Sequence, residues 1–532
     1  MNSRLKPKSL RAIKADDLET HSPLNHYIGL LKGSVAQGET TRLVTGLTHD
    51  SRTVKPGDLY ICLKGAKFDG HVYAEEALAK GAVAVVVNGD GLQAAGVALP
   101  NSVSVIAVKD TRAALPIIAC SFYGNPSHAL TMIGITGTNG KTSTVRLIAS
   151  IFRKAGKRVG TIGTLGSELD GKNYPSEHTT PEADQLQALL AQMRDDGAEV
   201  AVMEVSSHAI AQYRTVGIAF NVGIFTNLSQ DHLDFHGNMQ DYFETKARLF
   251  SEYPLAFPRP DKKSFISVIN VGQWEGRDLV TRARGDILTF ATGDVPAVLK
   301  ASNVTLSAES TKFTAVYDSG VEKFSLNIEL PIGGAFQIGN ALGAIGACLR
   351  MGVAKEAISE GLASLPPVPG RFEAVPTGDR GFSVIVDYAH SPDGLDNLLR
   401  SAKELNPKRI ITVFGCGGNR DRGKRPIMGR LAGVHSEIAI VTSDNPRKEE
   451  QNEIIAEILT GMDHNCDPDI KAEIHVEPDR RKAIALAISL ARPGDMILIA
   501  GKGHEDYQIV GDKVLPFDDR LVAREIMQGG SV

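Results

Sequence analysis

ALTMIGITGTNGKTSTVRLIAS, Ala129 to Ser150, is the stretch on which the fold turns. Thr131 to Ile135 reads as a buried strand, Gly137 and Gly140 allow a close backbone approach, and a helix begins at Lys141. A chain builds a phosphate cradle at a helix N-terminus in this way. Gly137, Thr138, Asn139 and Gly140, with Lys141, Thr142 and Ser143, are therefore expected to hold nucleotide phosphates. The Lys141 ammonium would face the β- and γ-phosphates, and the Thr142 hydroxyl would serve Mg²⁺. Five residues rather than the usual four separate Gly134 from Gly140. A Gly-rich surface turn with a solvated lysine would share some of these letters, but the strand before, the helix after and the absence of acidic residues in the loop favour the cradle.

The 532 residues exceed what one core supports and predict three or four domains at roughly 150 residues each. With 58 basic against 62 acidic residues the net charge is -4, so no strong field favours nucleic acid or an anionic membrane. Small, locally recognised partners are expected. Five cysteines, Cys62, Cys120, Cys348, Cys416 and Cys466, lie far apart without zinc-site spacing, which fits reduced thiols in a cytoplasm. No stretch approaches the ~20 apolar residues of a membrane span, and the N-terminus lacks the apolar core of a signal peptide. A soluble, unexported protein, without membrane insertion, is expected.

Residues 1–110 read as a small α/β unit, with polar groups at strand ends in His49-Asp50-Ser51-Arg52 and in the loop Gly65 to His71. By composition alone such stretches are more often turns than ligand contacts. A helix is expected over Thr111 to Phe122. Residues 111–368 alternate strands and helices as a doubly wound sheet requires: KRVGTIGT, AEVAVMEVSS, NVGIFTNL and FISVIN are apolar runs bounded by turn signals. Glu204 ends one of these runs, where an unpaired carboxylate would be costly and a bound Mg²⁺ would supply its partner. His232 follows another and reads as a turn residue, and charge patterning makes Lys246 a solvated surface lysine. An apolar helix is expected to begin near Asn340. SLPPVPGRFE, stiffened by Pro366, Pro367 and Pro369, reads as a linker. Beyond it, residues 369–532 form a third α/β unit of four strands, each ending in a polar cluster, as a binding cleft along one sheet edge requires.

GITGTNGKTS, EVSSH, NLSQDHLDFHG, PGRFE, DYAHSPD, GCGGNRDRGKRPIMG, SDNPR and GKGHEDYQ together resemble the Mur ligases, ATP-dependent enzymes that form the amide bonds of the peptidoglycan peptide. The eight motifs run in the family's order and cover nearly the whole chain. Folylpolyglutamate synthetases share the phosphate loop, but SDNPR, GKGHEDYQ and the DSR unit point to the muramyl branch. The resemblance implies an α/β, three-domain architecture: a central doubly wound P-loop ATPase-like domain flanked by a small N-terminal α/β domain and a C-terminal Rossmann-like domain. It also implies an ADP-forming ligation, in which ATP phosphorylates a D-glutamate carboxylate and an amine attacks the acyl phosphate.

By the same resemblance, Thr142 and Glu204 would hold one Mg²⁺ and His232 a second. Lys246 would react with CO₂ to become N6-carboxylysine, a carbamate able to meet Mg²⁺. Lys141, Glu204, His232 and Lys246 form the implied catalytic set. Asn340, Arg371 and Asp387 would contact ATP, so the third domain would close over the second. Ser51 and the Gly65 to His71 loop would hold the UDP part of a UDP-muramyl dipeptide, and Thr179, Thr180, Ser206, Gln212 and Arg214 its muramyl peptide. Gln337 stands where the family commonly has Asn, predicting altered fit. VINVGQWEG lacks the paired aspartates often seen after that strand, which leaves an adenine-side contact open.

Asp444, Asn445, Pro446 and Arg447, with Arg420, Gly501 and Glu505, are expected to hold the incoming amino acid. In the resembling family DNPR marks users of meso-diaminopimelate. A planar arginine fork suits the remote carboxylate of that substrate, while Glu505 and the Gly501 carbonyl suit its ammonium. The same ligation with L-lysine, a Mur-like nucleotide-binding scaffold with weakened catalysis, and a nucleotide switch are the competing readings. A monomer acting on small molecules is expected.

Overall fold

In a computed structural model the described residues are 22–32, 34–65, 68–174, 178–366 and 368–529, the side chain of Asp234 excepted. Ala66 and Lys67 of the Gly65 to His71 loop, Pro367 of the linker and the first residues of the N-terminal unit lie outside them.

The first sheet has five strands in the order Val35–Gln37, Val105–Val108, Ala84–Asn88, Asp58–Ile61, Gly46–Thr48, parallel except for the antiparallel edge Val35–Gln37. The helix Thr111–Phe122 has the bounds expected of it; the Asp110 carboxylate caps it by accepting from the Arg112 N–H. Its Leu115, Ile118, Ala119 and Phe122 pack in one cluster with Leu59, Ile61 and Val86 of that sheet and with Ala183 at the start of the helix Ala183–Asp195.

The strand Thr131–Thr136 lies inside an eleven-stranded sheet. Its parallel centre runs Asp286–Ala291, Ile266–Asn270, Val222–Phe225, Thr131–Thr136, Val200–Glu204, Val159–Gly163. Side chains alternate faces along a strand. Ile133 and Ile135 accordingly pack with the helices Lys141–Lys154 and Phe336–Arg350, whereas Met132 packs on the opposite face with Ala183–Asp195 and Met239–Ser251. Burial on both faces explains why these strands read as continuous apolar runs. Sequence reasoning missed the margins, where Leu299–Leu306, Thr311–Asp318 and Lys323–Leu330 form an antiparallel meander and Gly166–Leu169 and Lys172–Tyr174 close the other end. The helix expected near Asn340 begins a turn earlier, at Phe336.

The third sheet holds the four expected strands as Ser383–Asp387, Met496–Ala500, Ile410–Phe414 and Ile438–Val441, mutually parallel and flanked by Glu373–Val375 and Glu473–Val476. A hairpin, Tyr507–Val510 with Lys513–Pro516, follows. The parallel strands end at Asp387, Phe414, Val441 and Ala500, so DYAHSPD, GCGGNRD, SDNPR and GKGHEDYQ all emerge at one sheet edge. At the linker, Gly370 has φ +63, and a Cβ there would collide with the backbone of Gly503 and His504. Only glycine fits that position, and it locks PGRFE against GKGHE.

Candidate active site

The phosphate loop is held from behind by the segment after Val222–Phe225. The Thr138 N–H donates to the Asn227 carbonyl at 3.0 Å, the Asn139 N–H to Asn227 Oδ1 at 2.8 Å, and Thr226 Oγ1 to the Asn139 carbonyl at 2.6 Å. With Thr138 and Asn139 so occupied, the N–H groups free for an anion are those of the first helical turn from Lys141. Gly140 takes φ +86, and a Cβ there would strike Asn340 Oδ1, so the loop and the implied nucleotide contact Asn340 meet directly. Asn340 is oriented in turn by Gln337, whose Oε1 accepts from Asn340 Nδ2 at 3.0 Å. Gln337 itself is fully buried and meets the loop only through this neighbour.

Glu204 is almost wholly buried, but it is not the unpaired carboxylate expected from its place in the sequence. Its Oε1 accepts from Thr142 Oγ1 at 2.9 Å and from the Thr164 N–H at 2.8 Å, and its Oε2 from Thr164 Oγ1 at 3.2 Å. Thr164 also meets Thr179 Oγ1 at 3.2 Å. Sequence reasoning passed over Thr164, although it ends the apolar run KRVGTIGT just as Glu204 ends AVME. A hydroxyl and a carboxylate in contact at a helix N-terminus are the hard oxygen donors Mg²⁺ prefers. Among the described residues no cluster of three or more His, Cys, Asp or Glu side chains could cage a metal ion.

Lys246 departs furthest from its sequence reading. It is 1 % exposed, on the inner face of Met239–Ser251 with Tyr242, Phe243, Ala247 and Phe250. Its Nζ donates to the Gly137 carbonyl at 2.9 Å and sits 4.4 Å from the centroid of the Tyr242 ring. Burial, and then the charge of Lys141, hold its pKa well below that of an ordinary lysine. Lys141 donates to the carbonyls of Gly137 and Thr138 at 2.9 and 2.7 Å; burial lowers its pKa also, against the opposing pull of Glu204 and Asp231. His232 adopts a left-handed backbone, stays partly exposed, and lies beside Asp231 and the His208 ring.

The third unit reaches into the same cleft. Arg371 Nη2 donates to Thr142 Oγ1 at 3.3 Å, with its guanidinium 4.7 Å from the Tyr388 ring centroid. Asp387 Oδ2 accepts from the Phe372 N–H at 2.7 Å; burial raises its pKa, with Arg371 opposing. Asn139 Nδ2 donates to Asp393, a second residue the sequence did not single out although it lies within DYAHSPD. The resulting cleft, of about 690 Å³, is lined by Thr142, Glu204, His232, Lys246, Arg371 and Asp387. Thr179 and Ser206 line it too. An adjoining cleft of about 580 Å³ shares Thr164, Thr179 and Tyr388 and is lined also by Glu505.

The remaining candidates lie around these clefts. Thr180 Oγ1 donates to the Glu204 carbonyl at 2.8 Å, and Arg214 grips the Thr180 carbonyl at 2.9 Å, Gln212 Oε1 at 2.7 Å and Glu182 at 2.9 Å. Ser51 is buried in the first unit, its carbonyl accepting from Lys80 Nζ at 2.8 Å. Next to it His49 Nδ1 meets Asp184 at 2.7 Å, tying the first sheet to the second. On the third sheet edge Arg447, with φ +53, donates from Nη1 to the Gly418 carbonyl at 3.0 Å, while Arg420 is exposed. Gly501 faces Asp444, whose carboxylate occupies the space a Cβ would need. Asp444, Asn445, Pro446 and Arg447 thus sit beside Gly501 and Glu505 but outside the two lined clefts.

Three family models match: "Mur ligase family, catalytic domain" over residues 43–123, "Mur ligase middle domain" over 135–348 and "Mur ligase, glutamate ligase domain" over 370–503. A UDP-N-acetylmuramoyl-L-alanyl-D-glutamate–2,6-diaminopimelate ligase of Syntrophomonas wolfei is 43% identical over 492 residues, 92% of this chain and 96% of that one. A solved structure of a ligase of the same name is 31% identical with a TM-score of 0.65, covering 95% of this chain and 99% of that one. The MurF ligase from Thermotoga maritima in complex with ADP shares the fold at 20% identity and a TM-score of 0.59, over 91% of this chain and 97% of that one.

Proposed function

The chain belongs to the Mur ligase family, and from that premise we propose that it is an ATP-dependent, ADP-forming ligase joining meso-2,6-diaminopimelate to UDP-N-acetylmuramoyl-L-alanyl-D-glutamate in peptidoglycan precursor synthesis. The observation that carries the reading is the single cleft in which the phosphate loop, Glu204, Lys246 and Thr179 of the second unit meet Arg371 and Asp387 of the third. The three-unit division at residues 110 and 368 belongs to the proposal, with the helix Thr111–Phe122 as the joint between the first two.

In the first step a D-glutamate carboxylate oxygen attacks the γ-phosphorus of ATP, the bond to the bridging oxygen breaks, and ADP leaves. Lys141 and the N–H groups of the first helical turn face the oxygens on which charge collects. Thr142 and Glu204 would hold Mg²⁺, and His232 with a carbamylated Lys246 a second ion; bound there, the metal neutralises phosphate charge. Asn340, Arg371 and Asp387 position the nucleotide. In the second step the amine of the incoming amino acid attacks the acyl carbon, phosphate leaves with the former carboxylate oxygen, and the nitrogen loses a proton. Thr179, Thr180, Ser206, Gln212 and Arg214 hold the muramyl peptide and Ser51 the UDP end. Arg420, Asp444, Asn445, Pro446, Arg447, Gly501 and Glu505 hold the amino acid.

A cytoplasmic monomer fits this chemistry. Among the described residues no helix is long and apolar enough to cross a membrane, and the five cysteines are free. Phosphate release from ATP, measured with the UDP-muramyl dipeptide and a panel of amino acids, tests the reading. A ligase needs both co-substrates, a switch releases phosphate without either, and a scaffold releases none.

A further inference from the structure

Lys502 is a lysine without solvent. Its side chain is wholly buried two residues past the strand Met496–Ala500, between SDNPR and the C-terminal hairpin. Its Nζ lies 3.2 Å from Glu505 Oε2 and 3.4 Å from Asn445 Oδ1, and donates to the Tyr507 carbonyl. Asn445 Nδ2 donates to the same Glu505 oxygen at 2.8 Å, and Asn445 Oδ1 also accepts the Ile509 N–H at 2.8 Å. One oxygen of Glu505 is thereby saturated by two donors. Its Oε1 receives no hydrogen bond from any described residue, and Glu505 lines the cleft that contains Thr179.

Stability does not explain such a residue. Desolvating an ammonium is expensive, and an apolar side chain of similar volume in place of a buried ion pair is commonly neutral or stabilising. Charge balance at the sheet edge supplies the explanation. Lys502 holds its positive charge 3.2 Å from Glu505 Oε2, so the Glu505 carboxylate offers a substrate cation less than a full negative charge. A substrate end bearing both a carboxylate and an ammonium suits that field; an end bearing only an ammonium does not.

We propose that Lys502 is a positioning and specificity residue: it fixes one oxygen of Glu505, leaves the other for the substrate ammonium, and makes the pocket reject an amino acid whose remote end is a bare cation. The inference rests on the ligase reading above and deepens it.

The test compares the kcat/KM ratio for meso-diaminopimelate over L-lysine in the full-length wild type, Lys502→Met and Lys502→Arg, with the KM for ATP measured alongside. Lys502→Met is expected to lower the ratio about tenfold or more, mainly through a higher diaminopimelate KM, while the ATP KM stays within about twofold. Lys502→Arg, which keeps the charge, is expected to retain most of the ratio. A merely structural lysine would lower kcat with both amino acids and leave the ratio unchanged, which overturns the proposal, as does equal loss of the ratio in Lys502→Arg and Lys502→Met. Should Lys502→Met fail to fold, Lys502→Gln, which keeps a donor but no charge, carries the comparison. The wild-type arm separates the two readings: no ligation of diaminopimelate there refutes the ligase assignment itself, whereas a wild-type preference that survives in Lys502→Met refutes only this inference.

Discussion

Lys141 and Lys246 donate to one acceptor, the carbonyl oxygen of Gly137, each at 2.9 Å. Two ammonium groups on one oxygen in a buried site repel, and the conflict is relieved where desolvation is greater. Lys246 yields first: burial, and then Lys141, push its pKa well below the usual lysine range, whereas Glu204 and Asp231 partly support the charge on Lys141. The lowered pKa favours the neutral amine, the form that reacts with CO₂. The adduct is an anion, which turns repulsion from Lys141 into attraction.

Carbamylation of Lys246 therefore predicts a nearly inactive Lys246→Ala variant that a small carboxylate such as acetate or formate partly restores. Because CO₂ adds only to the neutral amine, bicarbonate dependence in the wild type should ease as pH rises through the lowered Lys246 pKa. Undiminished turnover by Lys246→Ala without any additive excludes the role.

Lys141→Ala should fold normally and lose ligation by at least ~10²-fold, the scale seen when a donor aimed at developing transition-state charge is removed. The loop keeps its hydrogen bonds from Asn227 and Thr226, none of which involves the ammonium. Normal turnover by the folded variant would remove the phosphate-loop assignment.

What was legible in the sequence follows from how each signal arises. Strands buried on both faces, such as Thr131–Thr136 and Val200–Glu204, announce themselves as apolar runs, and Asp110 announces the start of Thr111–Phe122. The meander from Leu299 to Leu330 carries a polar outer face, with Lys323–Leu330 largely exposed, so no apolar run marks it. Lys246 was misread on its own terms because its burial depends on a loop more than a hundred residues earlier, an acceptor at Gly137 that no local pattern encodes. Glu204 was legible as a carboxylate ending a buried strand, but its partner Thr164 is brought to it only by sheet register.

The contact between His49 and Asp184 should make docking of the first unit pH-dependent. Burial alone would lower the His49 pKa, but the hydrogen bond and charge of Asp184 outweigh it and raise the value above 6.5. A raised folded-state pKa means that the pair stabilises fully below the unfolded value and that this contribution is lost as pH rises through the folded one. Asp184→Asn should thus cost more thermal stability at about pH 5.5 than at about pH 8.5. An equal cost at both values would show that charge plays no part.

The proposed role of Arg447, selecting the amino acid by its remote carboxylate, rests on how the side chain is held. Its left-handed backbone, with φ +53, is held by its N–H to the Ile509 carbonyl at 3.0 Å and its carbonyl to the Gly511 N–H at 2.7 Å. The guanidinium is thereby presented beside Gly418, which takes one of its five donors. The remaining donors suit the remote carboxylate of meso-diaminopimelate, which L-lysine lacks. Leaving them unpaired under a closed third unit costs ~1–3 kcal/mol, so the wild type should prefer diaminopimelate by about tenfold or more. Arg447→Ala should raise the diaminopimelate KM far more than the ATP KM, because the proposed nucleotide contacts Asn340, Arg371 and Asp387 line a cleft that Arg447 does not reach. Arg447→Lys should recover little, since an ammonium keeps the charge but loses the planar fork. Equal use of L-lysine by the wild type, or unchanged diaminopimelate kinetics in Arg447→Ala, would overturn the assignment of this loop.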